Sequence, residues 1–189
     1  MEPKGWYSRG YLPHFDGGEI PQAITFRLAD SLPKERLDAW ERELHDLPNE
    51  EAKTEYRRRV EAYLDAGHGE AWLADPRIAD IIENALLHFD GERYYLHGWV
   101  IMPNHVHALI TPRRAHRLLD IVRSWKSYTA NKANRILGRN GTLWQAGYFD
   151  RFIRNDHHFA AALAYIEDNP VKAGLCSKPE EWRYSSASR

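Results

Sequence analysis

Residues 90–112, DGERYYLHGWVIMP followed by NHVHALITP, constrain the chain more than any other stretch. Both runs carry apolar, aromatic and β-branched residues, and Pro103 and Asn104 between them supply turn chemistry. That pattern predicts two adjacent strands. The second run places His105 and His107 two apart in an otherwise apolar sequence. Side chains alternate faces along a strand, so both imidazoles project from one face. Two polar rings are costly in such a place unless they serve a purpose. Half of a metal site is one such purpose, and hydrogen bonding within a core is the other.

The flanking segments place this pair in a fold. QAITFRL (residues 22–28) has the composition of a strand and is followed by two charged helical stretches, about 34–46 and 49–65. Leu37, Trp40 and Leu44 stripe the first; Tyr56, Val60, Tyr63 and Leu64 stripe the second. DAGHGEAWLADP reads as a loop, and DPRIADIIENALLHF as a helix capped by Asp75 with Pro76 in its first turn. Beyond the paired strands come a long basic helix, about 115–137, and a strand in LWQAGYFDRFIR. A last helix, HHFAAALAYIEDN, is capped by Asn155 or Asp156 and expected to stop before Pro170.

Strand, helix, paired strands, helix, strand is the order of the ferredoxin-like split βαβ arrangement. The expected class is therefore α+β, a four-stranded antiparallel sheet with helices on one face and the histidines presented from the other. Residues 30–74 form a helical insertion after the first strand. At 189 residues the chain suits one domain spanning 1–189.

Composition narrows the function. Residues 113–154 hold ten Lys or Arg against Asp120 and Asp150, a segment charge of +8 in a chain whose total is −1. Such asymmetry points to a polyanion, with nucleic acid the usual partner, although a solvated helix face has the same composition. A single cysteine, Cys176, excludes internal disulfides and multi-cysteine zinc sites. No apolar run approaches the roughly 20 residues of a membrane-spanning helix, and MEPKGWYSRG lacks a secretory pattern. A cytoplasmic protein is expected, nucleoid-associated when bound to DNA.

The last helix offers partners for the histidines. Tyr165 and Asn169, spaced i, i+4 in AYIEDNP, share one helix face. An amide oxygen suits a hard divalent ion such as Mg²⁺ or Mn²⁺, and imidazoles favour Mn²⁺. A free phenol, with a pKa of about 10, is a poor nucleophile unless a metal polarises the group it attacks.

Three strings in order, MPNHVH, LWQAGYFDRFIRN and YIEDNPVKAGL, with the lead-in RGYLPHFDGGEIPQAITFRL, resemble the REP-associated tyrosine transposases, a branch of the single-tyrosine HUH endonucleases. The resemblance covers most of the chain outside residues 30–74. It implies His105, His107 and Asn169 as metal ligands and Tyr165 as the nucleophile. It implies a single-stranded DNA substrate, a short palindromic hairpin, cut through a 5′-phosphotyrosine link and rejoined without a nucleotide cofactor. Tyr128, in the basic helix, is the competing tyrosine; the family pattern tolerates Phe there, which is incompatible with a nucleophile.

Around the site, Arg123, Lys126, Lys132 and Arg135 are expected to track the DNA backbone, and Arg151 and Arg154 to contact phosphate. Trp144, beside Gln145 where a strand could cross the sheet, either stacks on an unpaired base or belongs to the core. His157 and His158 are expected to face solvent at a helix start. The insertion exceeds what a minimal single-tyrosine transposase needs; it could cover a sheet edge, shape the DNA groove or block a dimer surface. A monomer using its own tyrosine is preferred over a homodimer. The alternative function is a hairpin-binding protein that has lost catalysis. A His-x-His barrel hydrolase is excluded, since that fold needs about 250 residues.

Overall fold

The structure, a computed structural model, describes residues 5–9 and 12–189. Residues 1–4 of the N-terminal stretch and Gly10 and Tyr11 of the lead-in lie outside the described residues.

The sheet follows from the alternation in the sequence. Strands β3 (Gln22–Arg27), β4 (Tyr94–Ile101), β5 (His105–Pro112) and β6 (Phe149–Phe152) form a four-stranded sheet in the order β4-β5-β3-β6, every neighbour antiparallel. This is the split βαβ order. Before it, β1 (Gly5–Arg9) and β2 (Leu12–Asp16) pair as a separate antiparallel hairpin within the lead-in. The last sheet strand is shorter than its sequence suggests. Trp144 meets Leu28 only through an isolated bridge, and regular pairing begins at Phe149.

One face of the sheet holds the main core. Ile24 and Phe26, with Val106, Ala108 and Ile110, pack against helices α3 (Pro76–Leu87) and α4 (Leu118–Ile136). Asp75 caps α3 by accepting from the Arg77 N–H at 2.9 Å, with Pro76 at the first helical position. Buried Ile78, Ile82, Ala85 and Leu86 recur at helical spacing, as do Leu118, Ile121, Val122 and Trp125 of α4. Tyr94 is buried among them with its polar end satisfied: its hydroxyl donates to the Leu86 carbonyl (2.6 Å) and accepts from Trp125 Nε1 (3.0 Å).

The opposite face, from which the histidines project, is also covered. Val100, Met102 and Leu109 pack against α5 (Asp156–Lys172), which Asn155 caps by accepting from the His158 N–H at 2.8 Å. This helix runs through Pro170 rather than stopping before it. A proline removes only its own N–H donor, and α5 ends two residues later, where the Ala173 N–H reaches the Asn169 carbonyl at 3.0 Å. Gly98 of β4 admits this packing, since a Cβ there would lie 2.3 Å from Cδ1 of Leu163.

The insertion forms α1 (Lys34–Glu43) and α2 (Asn49–Asp65). Their apolar stripes close on a small cluster of their own, Leu32, Val60 and Leu64 with Tyr56, Tyr63 and Phe149 of β6. Helix α2 thus stands beside α5 on the histidine face, separated from it by a cleft. Among the described residues no helix is long and apolar enough to cross a membrane.

Candidate functional site

His105 and His107 project from β5 on one face as their spacing requires, and both are buried. Hydrogen bonds fix how the rings point. Asn104 uses its amide nitrogen to donate to the carbonyls of Leu64 (3.2 Å) and His68 (3.0 Å), so its oxygen is the acceptor facing His105 Nδ1 at 2.6 Å. Nδ1 of His105 therefore carries the proton, and Nε2 presents a lone pair. Thr25 Oγ1, 2.7 Å from His107 Nδ1, can accept in the same way and free the second Nε2. The two Nε2 atoms lie 3.0 Å apart. That is on the order of the separation of neighbouring ligands around one ion at about 2.1 Å.

Two further groups converge on this point. The Asn169 amide nitrogen lies 3.5 Å from His107 Nε2, and the oxygen of the same amide is buried without a hydrogen bond of good geometry. Asp65, at the end of α2, brings Oδ1 to 3.7 Å from His105 Nε2, also buried without a hydrogen bond. One ligand atom each from Asp65, His105 and His107 fall within 4.8 Å of one another. Buried polar atoms are ordinarily paired. Two neutral imidazoles, a carboxylate and an amide oxygen are the donor set a divalent cation such as Mn²⁺ takes, so the residues fit the expected metal.

Burial holds His107 down to about 3, and burial, then His107 and Arg27, hold His105 well below its ordinary value. Burial, then the Glu61 carboxylate, pushes Asp65 up to about 6. A stability prediction follows from His107. The unfolded chain binds a proton near pH 6.5 that the folded chain refuses, so stability is full above that pH and falls as pH drops towards 3. The loss is about 1.4 kcal/mol per pH unit, or about 2 kcal/mol between pH 6.5 and 5. Asp65, raised in the fold, works in the opposite direction in both proteins, so comparing wild type with His107→Gln reads the imidazole together with its effect on His105. Urea unfolding in EDTA should show the wild type losing that much relative to the variant; parallel curves would refute the assignment.

Tyr165 lies one turn before Asn169 on α5, its ring edge-on to His107 with centroids 5.5 Å apart. Its hydroxyl is buried beside Asn169 and Glu61, without a hydrogen bond of good geometry. Burial, then the carboxylates of Glu61 and Asp65, pushes the phenol well above its ordinary value. Tyr128 is exposed on α4, across the sheet from the histidines, with Lys132 Nζ 5.8 Å from its ring centroid.

The eight residues expected to bind DNA divide. Arg123, Lys132 and Arg135 are exposed on α4. Lys126 is not a backbone-tracking cation: it is half-buried and donates to the carbonyls of Gln145 and Gly147, both at 2.6 Å. Burial, then Arg27, lowers it to about 8. Trp144 is not a stacking platform, because it is 4% exposed, packs edge-on against Phe26 and donates Nε1–H to Thr129 Oγ1 at 2.9 Å. Gln145 is half-buried, with its backbone N–H on the Arg27 carbonyl at 2.9 Å. Arg151 and Arg154 are exposed at the other side, and Arg151 lines the same cleft as Tyr165 and His107. His157 is exposed and His158 half-buried; neither joins the ligand group.

Asp65 is the residue that sequence reasoning missed. It sits among many acids in the insertion, and its contact with β5 spans forty residues. The available signal is its place directly after Leu64, which puts it at the margin of the buried stripe.

A family model described as "Transposase IS200 like" matches residues 71–169. A REP-associated tyrosine transposase of Escherichia coli (strain K12) is 24% identical over 110 residues, 58% of this chain and 64% of that protein. A Haemophilus influenzae protein described under the same family name is 31% identical over 99 residues, 47% of this chain and 56% of that protein. The chain thus spans less than two thirds of the length of either relative. A solved structure of a REP-associated tyrosine transposase bound to a REP hairpin superposes with a TM-score of 0.62 at 17% identity, covering 97% of this chain and 82% of that one. That likeness is one of fold.

Proposed function

Since the chain belongs to the IS200-like transposase family, we propose that it is a metal-dependent endonuclease and strand transferase for single-stranded hairpin DNA, with Tyr165 as nucleophile. One observation carries the reading: the Tyr165 hydroxyl, the Asn169 oxygen and one oxygen of the half-buried Asp65 carboxylate gather around the two imidazoles, all three buried and without a hydrogen bond of good geometry. His105, His107 and Asn169, with Asp65, would hold Mg²⁺ or Mn²⁺, which supplies polarisation of the scissile phosphate.

The protein's own residues do the rest. Asn104 and Thr25 hold the imidazoles in the ligating tautomer. Helix α5 holds Tyr165 and Asn169 on one face, so nucleophile and ligand move as a unit. The Tyr165 oxygen bonds phosphorus as the phenol gives up its proton. The P–O3′ bond breaks and leaves a 3′-OH, with the 5′ side held as a phosphotyrosine. Attack by another 3′-OH reverses these steps, so no nucleotide cofactor enters. The whole chain, insertion included, acts as one domain on a short palindrome in the cytoplasm, and a monomer suffices.

Hairpin oligonucleotides copied from inverted repeats beside the gene, incubated with protein and Mn²⁺, should give an SDS-resistant protein–DNA band that EDTA removes. Tight hairpin binding with no band would make the protein a reader of DNA and overturn the catalytic assignment.

A further inference from the structure

The cleft between α2, α5 and the β3–β6 half of the sheet has a volume of about 420 Å³, and Tyr165 and His107 form part of its lining. That is within the ~300–1,000 Å³ of small-ligand pockets. Its walls are apolar: Val60 and Leu64 from α2, Ala161 and Ile166 from α5. Phe149 of β6, with the Arg27 guanidinium 5.2 Å from its ring centroid, adds an aromatic side chain to the lining. Arg57, half-buried on α2, and exposed Arg151 also line it, and neither makes an ion pair among the described residues. Glu61 faces them from α2. Burial, then Arg57 and Arg154, lowers Arg151, with Glu61 acting against them. An apolar slot with an aromatic side chain, bordered by two guanidinium groups that share one carboxylate, has the chemistry of one nucleotide: a flat base and a phosphate. Helix α2 lies outside the family-matched residues 71–169, so this wall belongs to the insertion.

We propose that the cleft seats one unpaired nucleotide next to the scissile phosphate, its base against Phe149 and the α2 and α5 walls, its phosphate on Arg57 and Arg151. The assignment rests on the DNA-processing reading above and adds a position at which the substrate is read. The insertion thereby shapes the substrate groove.

Binding in EDTA tests it without requiring cleavage. Hairpins with single-stranded flanks are made abasic at one flank position at a time, and affinities are measured by fluorescence anisotropy. One position should weaken binding about tenfold, in line with a stacked base worth ~1–3 kcal/mol. Ala161→Trp, on an exposed helix position that lines the cleft, should weaken the intact hairpin to the same level and erase the abasic effect. Arg57→Ala, at a position without ion pairs, should lower the slope of log affinity against log salt by about 0.7. Equal binding of every abasic flank, or unchanged affinity in Ala161→Trp, would overturn the nucleotide seat. Covalent adduct without flank discrimination sinks the seat alone; flank discrimination without adduct sinks the catalytic reading alone.

Discussion

Replacing Tyr165 with Phe is expected to abolish the covalent protein–DNA adduct, a loss on the order of 10³-fold or more, as removal of a nucleophile generally is. Tyr128→Phe should retain it. The two tyrosines differ in every physical respect that matters. Tyr165 is edge-on to His107 and one turn from Asn169, and it lines the cleft; Tyr128 is exposed on a helix that packs against the other side of the sheet. The Tyr165 hydroxyl makes no hydrogen bond of good geometry, although Asn169 and Glu61 lie beside it, so deleting it costs the fold little. The variant should therefore melt near the wild-type temperature, and Mn²⁺ affinity should be unchanged. Lost adduct with both properties kept isolates the chemistry. An adduct that persists in Tyr165→Phe and disappears in Tyr128→Phe would move the nucleophile to the basic helix.

The second large effect concerns Asp65. Asp65→Asn keeps the shape of the side chain and removes its negative charge, so Mn²⁺ affinity measured by titration calorimetry should fall about 100-fold. Burial and Glu61 disfavour the Asp65 carboxylate in the metal-free fold, so the amide should leave that state as stable or more so. A fall in affinity together with a higher metal-free melting temperature is a combination that a purely structural carboxylate does not produce. Unchanged affinity in this variant, alongside loss in His105→Ala, would reduce the ligand set to the two histidines and Asn169.

The parts of this site legible in the sequence were those fixed by local period. A two-residue repeat in a strand put His105 and His107 on one face, and a four-residue repeat in a helix did the same for Tyr165 and Asn169. The order of elements was enough for the sheet, because few topologies accommodate it. Non-local packing was not legible. Lys126 counts as a cation in any tally of charge, yet its ammonium is committed to two carbonyls about twenty residues away. Trp144 reads equally as a base platform or a core residue until Thr129 and Phe26 are seen to enclose it. Pro170 looked like a stop because the rule for helix interiors was applied to a residue in the last turn. Asp65 was hidden for the same reason as Lys126, since its partners lie on β5 and β5 gives no sign of needing it.

Helices α1 and α2 close on a small cluster around Leu32, Val60 and Leu64, apart from the main core under α3 and α4. Asn104 also ties the segment to the sheet, through the Leu64 and His68 carbonyls. Were the segment to undock while the sheet stayed folded, Asp65 would leave His105 and the cleft would lose one wall. An ion that prefers the docked form must then favour docking to the same degree, by about 2.7 kcal/mol when present at 100 times its Kd. Under the proposed function, occupancy of the metal site and closure of the groove would then be two readings of one equilibrium. Metal scarcity would switch off the protein at the level of shape before it is felt at the level of bond breaking.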